Sequence, residues 1–221
     1  MKLNKKYRFL IAADGGAGSG KTTGSKMIAK KYNLKLLSSG LLYRLVAYRL
    51  LKNKKTAFRN SLLKKITKNI SLKDLKNKNL YNPEITEYSS IISKIKTIRN
   101  LLKSYQKNFT KNRHSIIEGR DIGTVVIPNA DLKLFFKCSL EIKARRRFNE
   151  YRKTNKNISF NEVKKAIKLR DLNDMKRKIS PLRPSKGAVI VDTTRKNKRQ
   201  VLSMLSRILE KKIKEKYGRN L

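Results

Sequence analysis

The chain has 221 residues, of which 38% are hydrophobic, so it is long enough for one principal core with an insertion. Its 57 basic and 15 acidic residues give a formal net charge of +42. A single cysteine excludes a disulfide framework, and no apolar run approaches the roughly 20 residues of a membrane span. The apolar stretch Phe9–Ala13 is too short for a secretory signal, so we expect a cytoplasmic protein with no membrane partner.

The basic residues are spread along the whole chain and are not gathered in one arm. This distribution favours a generally basic surface, which affects solubility and association but not the fold. Aromatic residues make up only 7% and tryptophan is absent, so stacking platforms for single-stranded nucleic acid are sparse. We therefore expect no specific nucleic-acid partner, and a basic RNA-binding protein is the alternative from another class.

Short apolar segments and stretches with helical spacing alternate along the chain. Five strands are predicted, at Tyr7–Ala13, Leu34–Leu37, Ile116–Gly119, Leu132–Cys138 and Ala188–Val191. Helices are predicted between and after them, at Lys21–Tyr32, Gly40–Lys52, Glu87–Phe109, Leu140–Arg177 and Lys198–Lys216. Such alternation is typical of an α/β fold with a doubly wound, five-stranded parallel sheet flanked by helices.

Two intervals between predicted strands are too long for simple connections. Residues 53–114 are predicted to form a mostly helical insert, and residues 140–177 a smaller helical region dense in arginine. The core is then expected to comprise residues 1–52, 115–139 and 178–221.

A phosphate-binding motif follows the first predicted strand and opens the first helix. Residues 15–22 match the pattern G-x-x-x-x-G-K-[ST] in full, and a dinucleotide fingerprint fits less well because Lys21 stands where its third glycine is needed. Glycines let backbone N–H groups converge on phosphate oxygens, Lys21 supplies a cation, and the Thr22 hydroxyl is a ligand for Mg²⁺. The predicted nucleotide-binding residues are Gly15, Gly16, Ala17, Gly18, Ser19, Gly20, Lys21, Thr22 and Thr23.

Three further motifs narrow the class of nucleotide-binding protein. LLSSGLLYR begins in the second strand and continues beyond it, EGRDIGTVV follows the third, and RDLNDMKR precedes the fifth. Together with the phosphate loop, and in this order, they resemble the motifs of bacterial cytidylate kinases over nearly the whole chain. The resemblance implies a P-loop kinase fold in which residues 53–114 form an acceptor-binding insert and residues 140–177 hold a small lid.

The resemblance also implies an ATP-dependent kinase that transfers the γ-phosphoryl group to CMP or dCMP with Mg²⁺, and we expect a monomer. A P-loop kinase of another acceptor, such as UMP, AMP or a small hydroxyl compound, is the nearest alternative. The catalytic residues implied are Lys21, Arg120 and Arg177. The acceptor phosphate is assigned to Ser39, Arg44, Arg120 and Arg177, the ribose to Arg170 and Asp174, the cytosine edge to Ser93, Arg99 and Asp121, and a place beside the acceptor to Tyr43.

The chain departs from the family pattern at Ser38 and Glu118, where aspartate is usual. The segment between Ser93 and Arg99 is also shorter than in the family, so Ser90 is an alternative to Ser93 as the hydroxyl that contacts the base.

Some polar residues have a structural interpretation beside the functional one. Arg170 and Asp174 have the spacing of an exposed helix pair, and the run Arg145–Arg147 is either a solvated helix face or part of a lid. The remaining expectations are an exposed His114, a buried and inert Cys138, and a strand end with a capped turn at Asp192–Thr194.

Overall fold

The computed structural model describes residues 8–52, 60–111, 113–152 and 158–218. Two compact units are present: the sheet unit, Met1–Leu37 with Asn112–Leu221, and the helical unit, Ser38–Lys111. The functional division into core, insert and lid stays a prediction.

The described residues form a five-stranded sheet in the order β2-β3-β1-β4-β5, flanked by helices, so the predicted α/β fold is confirmed. The central strand β1 pairs in parallel with β3 and β4, and β4 pairs in parallel with β5. The strand bounds are β1 Leu10–Gly15, β2 Lys35–Ser38, β3 Ser115–Gly119, β4 Leu132–Lys137 and β5 Val189–Asp192.

Eight α-helices lie in the described parts of the chain, with two short 3₁₀ turns, Asp74–Lys76 and Lys78–Tyr81, and a π-helical turn, Ile122–Val126. The helices are α1 Lys21–Lys31, α2 Ser39–Lys52, α3 Asn60–Lys68, α4 Pro83–Ile92, α5 Lys96–Phe109, α6 Leu140–Arg152, α7 Phe160–Lys176 and α8 Lys198–Tyr217. None of the helices within these described ranges is long and apolar enough to cross a membrane.

The core of the sheet unit is built around β1 and β3, in which every residue is buried. Burial on both faces is what a central parallel strand requires, because helices cover each side of the sheet. Helix α8 packs into this core through Val201, Leu205 and Leu209, next to Tyr32 and Phe136. These contacts fix the carboxyl ends of the central strands, where the phosphate loop begins.

The first strand begins later and ends later than the sequence predicts. It runs from Leu10 to Gly15 and not from Tyr7 to Ala13, and Tyr7 lies outside the described residues. Asp14 and Gly15 stay in the ladder because Asp14 pairs with Gly119 of β3, and Gly15 with Phe136 of β4. The polar end of the strand is thereby held rigidly at the start of the phosphate loop.

The long helix predicted over Glu87–Phe109 is wrong, since two helices, α4 and α5, occupy this interval. The break falls at Ser93, whose hydroxyl donates to the carbonyl oxygen of Ser90 at 2.8 Å. Serine hydroxyls that bond to nearby carbonyls compete with the backbone ladder of a helix. At the end of α4, Ile91 is 54% exposed and Ile92 is buried.

The predicted helical stretch Leu140–Arg177 likewise forms two helices, α6 and α7, and residues 153–157 between them lie outside the described part of the chain. The start of α7 is fixed by a capping box, in which Ser159 accepts from the backbone of Glu162 and the Glu162 side chain accepts from the backbone of Ser159.

His114 is half-buried, so the expectation of an exposed side chain is wrong. Its Nδ1 accepts a hydrogen bond from the backbone N–H of Phe9 at 3.1 Å, and its carbonyl oxygen accepts from Lys35 at 3.0 Å. The histidine therefore joins backbone segments that lie far apart in sequence. Cys138 is buried as predicted, and β5 ends at Asp192, whose carboxylate caps the backbone of Thr194 at 2.8 Å.

Within the helical unit, Arg49 of α2 binds the end of α3 and the segment that follows it. Its guanidinium donates to the carbonyl oxygens of Ile66 and Asn69, at 2.6 and 3.1 Å, and to the carboxylate of Asp74 at 3.1 Å. The apolar interior comprises Leu42, Leu45, Val46, Leu63, Leu80, Ile92, Ile98 and Leu102. This packing gives α2 and α5 fixed positions, and both carry predicted site residues.

Candidate active site

The phosphate loop connects β1 directly to α1, which is the strand, loop and helix order that the motif requires. Gly18 and Gly20 have φ angles of 68° and 82°, in the left-handed region that favours glycine. The helix begins at Lys21, and Thr22 and Thr23 in its first turn are exposed. The positive end of α1 is therefore presented at the loop, as anion binding needs.

Two residues of the neighbouring helices, not assigned from the sequence, hold the outer side of the loop. Asp171 of α7 accepts from the backbone N–H of Ala17 at 2.8 Å and from Lys143 of α6, also at 2.8 Å. A side chain at Gly16 would approach the Asp171 carboxylate to 2.7 Å, so glycine is needed there for close packing as well. Asp171 lies within the third motif, and this position was the only feature of the sequence that pointed to a role for it.

Lys21 and Thr22 both lie against Glu118 at the end of β3. The Thr22 hydroxyl donates to Glu118 Oε2 at 3.0 Å, and Lys21 Nζ lies 4.0 Å from the same oxygen. Lys21 Nζ also donates to the carbonyl oxygen of Gly16 at 3.3 Å. Burial, aided by the charge of Arg120 and opposed by Glu118, lowers the pKa of Lys21 to about 7. A phosphate placed beside Lys21 would reverse this shift, because an anion favours the charged form.

Arg120 and Arg177 meet at one carboxylate, that of Asp174. Arg120 Nε donates to Asp174 Oδ2 at 2.7 Å, and its NH1 donates to the carbonyl oxygen of Gly15 in the phosphate loop. Arg177 lies 3.7 Å from Asp174 and 3.6 Å from Asp121, with only 7% of its side chain exposed. The second and third of the predicted motifs are thus brought together at the first glycine of the loop.

The charges in this group compensate one another. Burial by itself raises the pKa of Asp174, but the guanidinium groups of Arg120 and Arg177 outweigh it and hold that pKa below its usual range. The Asp174 side chain is 18% exposed and bonded to Arg120, so the interpretation of this residue as part of an exposed helix pair is wrong. Arg170, in the turn before it on α7, is half-buried and contributes its charge to both Asp174 and Lys21.

Asp14, which the sequence analysis did not assign, orients the turn that follows Arg120 and Asp121. Its two carboxylate oxygens accept from the backbone N–H groups of Ile122 and Gly123, each at 2.8 Å. Burial raises the pKa of Asp14 to about 6, although these two hydrogen bonds act in the opposite direction. The sequence feature that could have identified Asp14 is an acidic residue at the end of an otherwise apolar, buried strand.

The first two arginines of the run Arg145–Arg147 on α6 have different surroundings. Arg145 is 67% exposed and 3.7 Å from Glu141, which fits a solvated helix face. Arg146 instead donates to the carbonyl oxygen of Thr193 at 2.9 Å, and the Thr193 hydroxyl donates to the carbonyl oxygen of Ser19 in the phosphate loop at 3.0 Å. Arg146 thus links α6 to the loop through the end of β5.

In the helical unit, α2 carries Ser39, Tyr43 and Arg44. Ser39 is its first residue and is buried, and its hydroxyl oxygen accepts from the amide of Gln106 at 3.3 Å. The guanidinium of Arg44 lies 5.4 Å from the ring centre of Tyr81. Gln106 was not assigned from the sequence, and nothing in the pattern distinguishes it from the other polar residues of α5.

Arg99 of α5 is 7% exposed, and it donates to the carbonyl oxygen of Ser93 at 2.8 Å. Its guanidinium lies 5.9 Å from the ring centre of Tyr43. The hydroxyl of Ser93 donates to Ser90, and that of Ser90 donates to Thr86 at 3.3 Å. The helical unit thus brings Arg99, Ser93 and Tyr43 together, and the choice between Ser93 and Ser90 as a base contact stays a prediction.

Comparison with known proteins agrees with the motifs. The model of the cytidylate kinase family matches residues 11–211. The chain belongs to the cytidylate kinase family. Curated cytidylate kinases of Fusobacterium nucleatum and Pseudothermotoga lettingae are 37% and 36% identical to it, over 91% and 94% of this chain and 97% and 96% of their own lengths. The family resemblance stated from the motifs is therefore confirmed.

A solved structure of an uncharacterized protein from Eubacterium ventriosum has a similar fold. It covers 93% of this chain and 99% of its own, with a TM-score of 0.55 and 14% sequence identity. At that identity the likeness supports the architecture alone.

Proposed function

We propose that this chain is an ATP-dependent nucleoside monophosphate kinase of the cytidylate kinase type. It transfers the γ-phosphoryl group of ATP to CMP or dCMP, giving ADP and CDP or dCDP. The observation that carries the proposal is that Arg120 donates both to Asp174 and to Gly15, the first glycine of a complete phosphate loop, while Arg177 lies 3.7 Å from the same carboxylate. Guanidinium groups at that place suit a second phosphate-bearing substrate, since arginine binds phosphate through a fixed fork of donors.

The donor side of the proposed reaction is the loop and the start of α1. Backbone N–H groups of residues 15–23 bind the phosphates of ATP, and Lys21 reaches the β- and γ-phosphates. Lys21 Nζ donates to the carbonyl oxygen of Gly16 at 3.3 Å, and this contact with the loop supports its assignment. Its charge stabilises the negative charge that the phosphoryl group carries during transfer.

The acceptor phosphate supplies the attacking atom. One of its oxygens attacks the γ-phosphorus, the bond from that phosphorus to the oxygen shared with the β-phosphate breaks, and ADP leaves. No general base is needed, because the attacking oxygen of a phosphate dianion carries no proton. Arg120 and Arg177 orient this phosphate and offset its charge, and carboxylates that already fix both arginines spare them reorganisation when it binds.

The other acceptor contacts are proposed residue by residue. Ser39 and Arg44 bind the acceptor phosphate, Arg170 and Asp174 the ribose, and Tyr43 lies beside the acceptor. Asp121 accepts from the exocyclic amine of cytosine, while Arg99 and the hydroxyl of Ser93 or Ser90 donate to its ring acceptors. The burial of Asp121 and Arg99, at 4% and 7% exposed, supports a role in which unmatched polar groups are costly.

We also propose that Mg²⁺ accompanies ATP. Thr22 and Glu118 fit this ion, because a hydroxyl and a carboxylate oxygen lie 3.0 Å apart at the loop, and Mg²⁺ is commonly held by one or two such groups together with phosphate oxygens. When bound, the ion would offset the negative charge of the phosphates. Glu118 thus takes the place that aspartate usually has in the family.

The test is turnover with CMP, dCMP, UMP and AMP at one fixed concentration of ATP and Mg²⁺, followed by release of ADP. We expect CMP or dCMP to be the best acceptor. A preference for UMP or AMP would show that the proposed acceptor is wrong, although the chain would still be a nucleoside monophosphate kinase. RNA binding measured at two salt concentrations tests the alternative class, and we expect weak binding that falls steeply with salt. A monomeric state and a cytoplasmic location stay predictions.

A further inference from the structure

The side-chain amide of Gln106, in the helical unit, is a buried polar group whose presence there is not explained by packing. Its side chain is 2% exposed, and its Nε2 lies 3.3 Å from the hydroxyl oxygen of Ser39. Its carbonyl oxygen, Oε1, is buried and has no hydrogen-bond partner among the described residues. A buried acceptor without a donor destabilises the folded chain, so an apolar side chain of the same shape would be better for stability alone.

The chemistry of the amide determines what the Ser39 hydroxyl can do. An amide NH₂ group only donates, so the Ser39 oxygen must accept, and its own hydrogen is turned towards another acceptor. Ser39 is the first residue of α2, where backbone N–H groups have no partner within the helix, and the first turn of α2 holds no acidic residue. Its surroundings therefore favour an anion as that other acceptor.

We propose that Gln106 is a positioning residue that makes Ser39 a hydrogen-bond donor to the acceptor phosphate. This inference rests on the proposed function, in which Ser39 contacts that phosphate. The opposite orientation of the amide has a different consequence, since Oε1 would then accept the Ser39 proton and withdraw it from the substrate. Substitutions at position 106 distinguish the two orientations.

Three variants provide the test. Gln106→Met keeps the volume but cannot donate, and Gln106→Glu in its ionised form only accepts. Thr110→Val removes a different hydrogen bond, that from the buried Thr110 at the end of α5 to the carbonyl oxygen of Lys107. The KM for CMP, the KM for ATP, kcat and Tm are measured for each at pH 8.

We expect Gln106→Met to raise the KM for CMP about 3- to 10-fold, the usual effect of losing one hydrogen bond. The KM for ATP should change less than about twofold and Tm should not fall, since the unpartnered oxygen is also removed. Gln106→Glu should have a larger effect on CMP, because a carboxylate captures the Ser39 proton and repels phosphate. Thr110→Val should lower Tm without changing either KM.

A double-mutant cycle tests whether the effect passes through Ser39. In the Ser39→Ala background, Gln106→Met should add less than about twofold to the KM for CMP. The inference is overturned if the effects of Ser39→Ala and Gln106→Met on the KM for CMP are additive. It is also overturned if Gln106→Glu keeps the parental KM for CMP, or if Gln106→Met lowers only Tm. None of these results would contradict the proposed kinase activity. A parent chain that uses and binds no nucleoside monophosphate would instead overturn the proposed function, and this inference with it.

Discussion

In the sheet unit the basic side chains beside the phosphate loop lie against carboxylates, whereas in the helical unit Arg99 and Ser39 are held by a carbonyl oxygen and an amide. Lys21 lies beside Glu118, and Arg120 and Arg177 share Asp174. The corresponding contacts of the helical unit run from Arg99 to Ser93 and from Gln106 to Ser39. In these contacts the cations of the sheet unit are compensated by carboxylates, whereas Arg99 and Ser39 are held by uncharged groups.

The difference predicts different responses to pH. Burial of charged groups moves the pKa of Lys21 to about 7 and that of Asp14 to about 6, so both titrate near neutrality. The amide of Gln106 and the hydroxyl of Ser39 do not titrate in this range, and arginine keeps its proton. Charge at the phosphate loop is therefore sensitive to pH and to phosphate, while the hydrogen bond between Gln106 and Ser39 depends on geometry.

The strongest test of the sheet unit is Lys21→Ala. Removal of this cation should lower turnover about 10²- to 10³-fold, because an electrostatic contact to the transferring group is lost. Turnover is measured as ADP release with CMP, and Tm confirms that the chain still folds. Lys26→Ala is the matched control, since Lys26 is an exposed lysine on the same helix, and it should keep parental turnover. If Lys21→Ala keeps near-parental turnover, the assignment of this loop as the binding site of the ATP phosphates is wrong.

A second test concerns Glu118 and the metal. Glu118→Gln keeps the shape and an oxygen near Thr22 but removes the charge, so the Mg²⁺ concentration for half-maximal turnover should rise about 10- to 100-fold. Glu118→Asp should be affected less, because it retains a carboxylate. Binding of Mg²⁺-ATP by calorimetry provides a readout besides turnover. If Glu118→Gln has the parental Mg²⁺ requirement, Glu118 has no part in metal binding.

A third test separates base recognition from phosphate recognition at two adjacent residues. CMP should exceed UMP at least about tenfold in kcat/KM, because uracil presents an oxygen to the Asp121 carboxylate. Asp121→Ala should narrow that ratio mainly by harming CMP. Arg120→Ala should harm all acceptors alike and leave the ratio unchanged. Equal losses for CMP and UMP in Asp121→Ala would show that Asp121 does not read the base and acts only through Arg177, 3.6 Å away.

The smallest expected effect is on stability. The pKa of Lys21 is lowered to about 7 by folding, so its charged form destabilises the folded state fully below pH 7, and the penalty fades as pH rises from 7 towards 10.5. The Tm of Lys21→Met relative to the parent should therefore fall by at least about 2–4 °C over that range.

Controls for this measurement come from both units. The relative Tm of Lys26→Met and of Gln106→Met should stay flat between pH 7 and 10.5, since Lys26 is exposed to solvent and the amide of Gln106 does not titrate. A flat profile for Lys21→Met would contradict the comparison between the two units.

Much of the candidate site could be predicted because its motifs are local. The phosphate loop needs glycines, a lysine and a threonine at fixed spacing, and the segment after it forms a helix as expected. Asp14, Asp171 and Gln106 escaped prediction because the partner of each lies far along the chain. Asp14 bonds to Ile122, 108 residues away, Asp171 to Ala17 at 154 residues, and Gln106 to Ser39 at 67 residues.

The sequence by itself determined the fold class, the family and the position of the phosphate-loop motif, because apolar periodicity and short motifs depend on neighbouring residues. Only the tertiary structure decided that Glu118 lies against Thr22 and that Asp174 binds Arg120. Each of these depends on which groups are buried together, since burial is what makes an unmatched hydroxyl or carboxylate costly. Spacing along the chain does not specify burial.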